Sequence, residues 1–493
     1  MTAPNIIETM ADEGLFGASF RGASWSAWRA VLKAAFAIPM TPAEIEIFRS
    51  LAERDPPGRR VRELWAIAGR RSGKDSIASV IAAHLAALAD CGPHLRPGER
   101  ALVMCLACDR EQARIVLNYT RAYFDEQPLL GALVKRRTVN GMELNNGVDV
   151  AIATNSFRAV RGRPILAAIL DEVAFYADER SAAPDIETYR AVLPGLATLP
   201  GAILIGISSP YRKAGLLFEK YREHYGRDGD VLVIKAPSLA LNPTLDGRII
   251  DDALEVDPEA ARAEWLGEFR NDVAAFVDRA VVESAIVPGC HELPFVEGHD
   301  YVAFTDPSGG SADSFTLAIA HSAEGGKRVL DLVREVRPPF SPDAVVKEFA
   351  ATLKAYHLSE VTGDRYAGEW LRERFREHGI EYCPSERSKS EIYLELLPLL
   401  NSGSVALLDN KRLIVQFCSL ERRTARGGKD SIDHSPSASA RDDVGNSAAG
   451  ALVLAAAAEE GVCDFDYATL AVLETPELEG HGGKFFTYER SHL

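Results

Sequence analysis

Short apolar runs alternate with amphipathic helical patterns from about residue 60 to residue 210. The runs are ELWAIAG, ALVMCLA, VDVAIAT, PILAAILDE and GAILIGISS. Continuous apolar strands that are bounded by turns and separated by helices are typical of a mostly parallel sheet with helices on its faces. The pattern therefore predicts an α/β domain in the first half of the chain.

A second α/β pattern begins near residue 299. The runs DYVAFTD, FTLAIAH and KRVLDLVREV precede the helical pattern SPDAVVKEFAATLKAYH and the strand EVTGD. The stretch between the two patterns is rich in proline and contains the helical segment DPEAARAEWLGEF, which is typical of a connecting subdomain. The periodic pattern ends after residue 460. We therefore predict four segments, which are a first domain with an N-terminal helical segment (1–235), a linker or lid (236–295), a second domain (296–460) and a tail (461–493).

The composition limits the kind of protein further. The 493 residues include 55 Lys and Arg against 71 Asp and Glu, which gives a net charge of −16 at pH 7. This balance excludes a generally basic nucleic-acid coat protein but allows a DNA-handling enzyme whose cations line one groove. The longest apolar run, residues 448–458, is shorter than the roughly 20 residues that span a bilayer. The first residues lack a secretory pattern, and seven scattered cysteines argue against disulfides. We expect an intracellular, soluble protein without a membrane partner.

The segment ELWAIAGRRSGKDS has the pattern of a buried strand, a tight turn and a helix that begins near Lys74. Backbone N–H groups that converge at a helix N-terminus bind phosphate oxygens, and the lysine neutralises the β- and γ-phosphates. The match to the usual phosphate loop is incomplete, because Ala68 replaces the first glycine and Asp75 replaces the hydroxyl residue that binds Mg²⁺. Either Asp75 or Ser76 would then hold the metal. The predicted nucleotide-binding residues are Gly69, Arg70, Arg71, Ser72, Gly73, Lys74, Asp75 and Ser76.

Two further strands end in residues suited to ATP hydrolysis. The run PILAAILDE ends in Asp171 and Glu172, of which the first would hold Mg²⁺ and the second would orient the attacking water. The run GAILIGISSP ends in Ser208, Ser209 and Pro210, where small hydroxyl residues could sense the γ-phosphate. Together with the phosphate loop, these strand ends predict an ATPase.

Three positions in the second α/β pattern carry acids. Asp306 ends the first strand, Asp364 ends another, and Asp442 and Asp443 stand at the start of an alanine-rich helix. Phosphodiester cleavage by two metal ions needs converging carboxylates, because hard divalent cations take oxygen ligands. The spacing predicts an RNase H-like nuclease centre. Asp433 and His434 lie nearby in a polar loop and receive no role.

The order of GRRSGKD, ILDE, SSP and the later aspartates resembles the large subunit of tailed-phage terminases over residues 40–460. The resemblance implies an N-terminal P-loop ATPase domain of the ASCE type and a C-terminal RNase H-like nuclease. It also implies ATP, Mg²⁺ (Mg²⁺ or Mn²⁺ at the nuclease) and double-stranded DNA. The partners it implies are a portal protein, a small terminase subunit and further copies in a ring. The implied location is the host cytoplasm, at the portal vertex of the procapsid.

The resemblance assigns roles to individual residues. Lys74 matches the phosphate-loop lysine, Asp171 the metal-binding acid, Glu172 the catalytic base, and 208–210 the coupling motif. Arg161 matches an arginine that is supplied in trans to the ATP of a neighbouring subunit.

In the second domain the same resemblance makes Asp306, Asp364 and Asp443 the nuclease metal ligands, with Asp442 as an alternative to Asp443. Two departures stand out. Glu44 occupies the place of a glutamine near the adenine, and Asn446 with Ser447 replaces a further Asp-Ala pair, which would weaken one metal site.

Two other functions stay open at this point. One is an ATP-driven DNA translocase or helicase whose second domain is not a nuclease. The other is a DNA-holding assembly module in which both sites have degenerated, which Asp75 and Asn446 would favour.

Overall fold

The computed structural model describes residues 3–154, 162–176, 184–311, 313–323, 325–364, 369–424, 430–434 and 441–460. The predicted trans-acting Arg161 and the predicted tail over 461–493 lie outside these ranges. Every helix in the described ranges is too short or too polar to cross a bilayer.

Four helices precede the first sheet. They are α1 (Ile6–Ala11), α2 (Gly17–Phe20), α3 (Ser26–Ala35) and α4 (Pro42–Ala52). Helix α4 begins at a capping box, in which Thr41 and Glu44 bond each other's backbone N–H groups. Trp28, Val31 and Leu32 of α3 are buried in the core of the first domain, so this helical segment is part of that domain.

The first sheet has eight strands in the order β3-β4-β5-β2-β6-β7-β1-β8. Their bounds are β1 (Glu63–Ala68), β2 (Ala101–Ala107), β3 (Val134–Thr138), β4 (Gly141–Leu144), β5 (Val148–Thr154), β6 (Ile165–Asp171), β7 (Ile203–Ser208) and β8 (Val231–Ala236). Six of these strands are parallel, and β3 and β4 form an antiparallel edge. Strand β7, which ends in Ser208, lies between β1 and β6, so the phosphate loop and Asp171 follow strands on either side of it.

Helices cover both faces of this sheet. They are α5 (Lys74–Leu88), α6 (Arg110–Glu126), α7 (Pro128–Gly131), α8 (Pro184–Leu196) and α9 (Leu216–His224). Along β1, Leu64 and Ala66 pack with α5 and α6, whereas Trp65 and Ile67 pack with α8 and α9. The predicted apolar runs are thus strands buried on two faces.

The connecting segment divides between the two domains. Its helices α10 (Ser238–Leu241), α11 (Arg248–Val256) and α12 (Pro258–Ala261) lead to a π-helical turn (Arg262–Leu266). The following β9 (Val273–Ala275), α13 (Arg279–Ala285) and β10 (Ile286–Val287) belong to the second domain, because β9 pairs with β17 (Leu420–Thr424) and β10 with β16 (Val405–Leu408). These strands and α13 lie within the predicted linker over 236–295, whose bounds stay a prediction.

The second domain is built on a seven-stranded sheet of order β10-β16-β13-β12-β11-β14-β15. Its further strands are β11 (Tyr301–Asp306), β12 (Phe315–Ala323), β13 (Lys327–Val336), β14 (Glu360–Gly363) and β15 (Glu381–Pro384). Strands β11, β12 and β13 are antiparallel, and β14 runs parallel to β11. This mixed sheet has the RNase H-like arrangement that the resemblance implied.

Helices also cover this second sheet. They are α14 (Pro342–Ala355), α15 (Glu369–Glu377), α16 (Lys389–Asn401), α17 (Lys411–Ser419) and α18 (Asp443–Glu460). Helices α14 and α15 pack on one face, and α16, α17 and α18 pack on the other. A small sheet of order β18-β17-β9 adds the strand β18 (Asp430–His434). The prediction of two α/β domains is confirmed.

Candidate nucleotide and nuclease sites

Side chains from other segments donate hydrogen bonds to the loop between β1 and α5. Three of its consecutive carbonyl groups accept hydrogen bonds. Ser238 Oγ donates to the carbonyl of residue 70 at 2.6 Å, Asn242 Nδ2 to that of residue 71 at 2.8 Å, and Trp28 Nε1 to that of residue 72 at 2.7 Å. These bonds fix the turn that leads into the N-terminus of α5, where the helix dipole attracts anions. The connecting segment and the N-terminal helices thus both shape the loop.

Gly73 and Arg71 adopt left-handed backbone conformations in this loop, with φ of 86° and 60°. A Cβ atom at Gly73 would lie 2.9 Å from the ring of Trp25. Glycine is therefore required here both by conformation and by space.

Lys74 is the first residue of α5 and meets the ends of β6 and β7. Its Nζ lies 2.8 Å from Glu172 Oε1 and donates to Ser209 Oγ at 3.2 Å. The other carboxylate oxygen of Glu172 accepts from Ser208 Oγ at 3.0 Å and from the N–H of Ser209 at 3.2 Å. The structure thus brings four predicted residues together in a mostly buried cluster.

The backbone of Glu172 is also left-handed, with φ 49° and ψ 45°. A non-glycine residue in this conformation costs about 1–3 kcal/mol, and such residues cluster at functional sites. No pattern in the sequence predicted this turn.

Asp171 is 1% exposed, and within the described ranges its Oδ1 has no hydrogen-bond partner. Burial raises the pKa of Asp171 well above its ordinary value, and the charge of Asp75 raises it further. Burial also raises the pKa of Asp75, which lies in the first turn of α5. The buried carboxylate of Asp171 with its unpartnered oxygen, and the partly buried carboxylate of Asp75, fit a divalent cation, which prefers oxygen ligands.

Glu44 has a structural role. Its carboxylate lies 2.7 and 2.8 Å from Lys33 Nζ and completes the capping box of α4. Both carboxylate oxygens of Glu44 are engaged in these contacts. That Glu44 replaces a glutamine near the adenine stays a prediction.

Asp306 and Asp364 lie at the ends of neighbouring parallel strands. Thr305 of β11 pairs with Gly363 of β14, so the two acids follow at the same edge of the sheet. Burial raises the pKa of Asp306 to about 7, and the nearby carboxylates of Asp443 and Asp442 add to this effect.

Asp443 is held beside this edge by β12. Its Oδ2 accepts from the N–H of Ser314 at 3.1 Å, and its carbonyl accepts from Thr316 Oγ1 at 2.8 Å. Thr316 pairs with Asp306 across β11 and β12. The pairing therefore brings the start of α18 next to the end of β11.

Asp442 belongs to a different cluster. Its Oδ2 lies 2.6 Å from Lys389 Nζ and accepts from the Tyr393 hydroxyl at 3.2 Å. One potential metal-ligand atom each of Asp433, His434 and Asp442 lies within 4.8 Å of the other two. Lys389 Nζ is also 3.3 Å from Asp433, so an ammonium group already supplies positive charge to this cluster.

No motif in the sequence pointed to Lys389 or His434 as members of this cluster. Hydrogen bonds to Asp433 and Asp442 raise the pKa of His434 to about 9. The sequence shows the acidic doublet Asp442-Asp443. It does not show which basic side chain, distant in sequence, lies beside these acids in the fold.

Comparisons with known proteins gave matches among solved structures. No protein-family model and no curated protein matches the chain. The HK97 bacteriophage large terminase is 16% identical, with a TM-score of 0.37, and the match covers 88% of this chain and 99% of that one.

Two further matches were solved with ligands. A large terminase from a thermophilic bacteriophage, in complex with ADP, is 11% identical (TM-score 0.35; 80% of this chain and 94% of that one). The large terminase nuclease from the thermophilic phage G20c with bound magnesium is 17% identical (TM-score 0.31; 35% and 94%). Along most of its length, the chain is thus similar to large terminases of bacteriophages.

Proposed function

We propose that this protein is a subunit of a viral DNA-packaging motor. It hydrolyses ATP to move double-stranded DNA into a procapsid and cleaves concatemeric DNA with a metal-dependent endonuclease. The observation that carries the proposal is that one chain holds both a phosphate loop joined to Glu172 through Lys74 and a separate edge of aspartates around Asp306. The packaging role is inferred from the order of the motifs along the sequence, which resembles that of terminase large subunits.

In the ATPase site, Lys74 exchanges Glu172 for the phosphates of ATP. The phosphate oxygens would compete with Glu172 for its ammonium group, which lies 2.8 Å from Glu172 Oε1. The released carboxylate then orients the attacking water as general base. Ser208 and Ser209, which both donate hydrogen bonds to Glu172, would respond to its movement.

Magnesium would neutralise charge on the β- and γ-phosphates. Asp171, together with Asp75 or Ser76, would hold it. Arg161 would act on the ATP of a neighbouring subunit in the ring.

In the nuclease site, Asp306, Asp364 and Asp443 would hold the divalent cations, Mg²⁺ or Mn²⁺. These ions would activate a water molecule and stabilise charge on the scissile phosphate. We assign the third position to Asp443 rather than Asp442, because Lys389 and Tyr393 already engage Asp442.

The proposed setting is the portal vertex of a procapsid in the host cytoplasm. A homo-oligomeric ring would contact the portal protein and receive DNA from the small terminase subunit. The net charge of −16 fits a subunit that grips DNA only in its channel and nuclease groove.

Two variants test the two activities and serve as controls for each other. Glu172→Gln should lower ATP turnover by about 100-fold or more and leave Mn²⁺-dependent plasmid cleavage unchanged. Asp306→Ala should abolish cleavage and leave ATP turnover unchanged. Undiminished ATPase in the first variant, or undiminished cleavage in the second, would contradict the corresponding assignment. ATP-driven displacement of a third strand from duplex DNA tests translocation directly.

A further inference from the structure

The turn after β6 carries the proposed catalytic base in a strained conformation. Glu172 is left-handed, and the three residues after it, Val173–Phe175, form a short 3-10 helix. The N–H of Phe175 donates to the carbonyl of Glu172 at 3.0 Å. A strained backbone of this kind persists where surrounding contacts hold it in place. The side chains that tie this turn to the sheet therefore bear on the position of Glu172.

Tyr176 ties the far end of the turn to strand β2. Its hydroxyl donates to the carbonyl of Leu106 at 2.7 Å. The side chain is buried in the apolar core on one face of the first sheet. Strand β2 is the neighbour of β6 in this sheet, so the bond joins the turn to the strand beside its own.

Cys108 directly follows β2 and contacts the same turn. Its thiol donates to the carbonyl of Phe175 at 3.2 Å and to that of Glu172 at 3.7 Å. Burial raises the pKa of Cys108 to about 12, and the charges of Glu172 and Asp171 add to this effect. The sulfur therefore keeps its proton at neutral pH and stays a hydrogen-bond donor.

The two contacts act on the backbone of the turn and leave the carboxylate of Glu172 to other partners. That carboxylate contacts Lys74, Ser208 and Ser209. The carboxylate can therefore change its partners while the backbone beneath it stays fixed to the end of β2.

We propose that Cys108 and Tyr176 are positioning residues of the ATPase, which hold the turn so that the carboxylate of Glu172 is placed for the attacking water. This inference rests on the proposed ATPase function. A misplacement of about 1 Å can lower a catalytic rate by about 100-fold. Loss of either donor should therefore slow hydrolysis without weakening nucleotide binding, because other segments build the phosphate loop.

Single-turnover ATP hydrolysis by the full-length protein, together with the Kd for ADP from calorimetry, tests the proposal. Cys108→Ala and Tyr176→Phe should each lower the rate by about 10-fold and leave the Kd within about twofold. Cys108→Ser should restore most of the rate, since a hydroxyl also donates to carbonyl groups.

Two matched controls remove the same groups elsewhere in the first domain. Cys91 is a buried thiol three residues after α5, and the hydroxyl of Tyr189 donates to Glu63 at 2.7 Å. Cys91→Ala and Tyr189→Phe should both hydrolyse ATP at the wild-type rate. An unchanged rate in Cys108→Ala or in Tyr176→Phe would overturn the role of that residue.

The same changes in a Glu172→Gln background separate positioning from a general loss of structure. With the base already removed, Cys108→Ala should lower the residual rate no further, because both changes act on one group. A further loss as large as in the wild-type background would overturn the inference and leave Glu172 as the base. If Glu172→Gln itself hydrolyses ATP like wild type, the proposed base is wrong. Should Cys108→Ala fail to fold by circular dichroism, Tyr176→Phe in both backgrounds decides by the same criteria.

Discussion

At the scale of single residues, the adjacent acids Asp442 and Asp443 have opposite pKa shifts because their neighbours differ. Burial acts to raise the pKa of Asp442, but hydrogen bonds and charge from His434 and Lys389 outweigh it and keep this pKa below its ordinary value. Burial raises the pKa of Asp443, and the charge of Asp442 adds to the effect. The lowered pKa thus favours the ionised form of Asp442 beside Lys389, whereas the raised pKa of Asp443 would be offset by an added cation.

Replacing each acid by asparagine should therefore have different results. Asp443→Asn should lower Mn²⁺-dependent plasmid cleavage by about 100-fold, since it removes a proposed metal ligand. Asp442→Asn should keep most of the cleavage but lower the free energy of unfolding by about 1–3 kcal/mol, because Lys389 loses a charged partner. Cleavage assays and urea unfolding measure the two effects. An equal loss of cleavage in both variants would return Asp442 to the metal site.

Some of these residues could be predicted from the sequence and others could not. The doublets at 171–172 and 442–443 were visible because apolar runs and helical patterns flank them. The left-handed backbone of Glu172 and the approach of Lys389 to Asp442 depend on contacts between distant segments. Local pattern carries no information about such contacts.

At the scale of elements, α18 sets the position of Asp443, one of the proposed nuclease acids. This helix packs across β11, β12 and β13, and Gly450 allows it to approach β11 closely. A Cβ atom at Gly450 would lie 2.3 Å from the ring of Phe304, whereas one at Gly445 would meet nothing nearer than 3.5 Å. The two glycines on one helix therefore form a matched pair.

Gly450→Ala should destabilise the second domain by about 1–3 kcal/mol, because the added methyl group overpacks the helix–sheet interface. It should also lower Mn²⁺-dependent cleavage, since Asp443 and Asn446 move with the helix. Gly445→Ala should be close to neutral or slightly stabilising, because alanine favours a helix. Thermal unfolding of both variants measures the difference. Equal stability would mean that α18 and β11 are not in close contact.

Elements differ in how far the sequence revealed them. Strands β1, β2, β5, β6 and β7 are fully or largely buried, and each corresponds to one of the apolar runs. The hairpin of β17 and β18, and its pairing with β9, were not predicted. Strand β17 has the sequence LERRT, which contains no apolar run. It is held by its pairing with β18 and β9 and by the contacts of buried Glu421 with Arg212 and Arg423.

At the scale of the whole molecule, Tyr211 and Glu421 join the two domains. Tyr211 directly follows the 208–210 segment, and its hydroxyl donates to Glu421 Oε2 at 2.6 Å. Glu421 lies on β17, is fully buried, and also faces Arg212 at 3.7 Å and Arg423 at 3.3 Å. A shift at the proposed coupling segment can therefore reach the second domain through one side chain.

This contact should appear as a coupling free energy between the domains. Tyr211→Phe removes the donor to a buried carboxylate, and Glu421→Gln removes the charge that accepts the bond. In a double-mutant cycle on the free energy of unfolding, the two changes should be non-additive by about 1–3 kcal/mol. Urea unfolding of the four proteins, followed by tryptophan fluorescence and by circular dichroism, measures this energy.

Tyr189→Phe supplies the matched control, because its hydroxyl donates to Glu63 at 2.7 Å within the first domain. Combined with Glu421→Gln, it should give additive changes, since the two residues share no partner. If Tyr211→Phe were also additive with Glu421→Gln, the hydroxyl would not join the domains. In that case the link between the domains would rest on other contacts, among them Arg212 with Glu421 at 3.7 Å and the N–H of Arg270, which donates to the carbonyl of Tyr211 at 2.8 Å. A coupled pair instead shows that the Tyr211 hydroxyl contributes to the contact between the proposed coupling segment and β17.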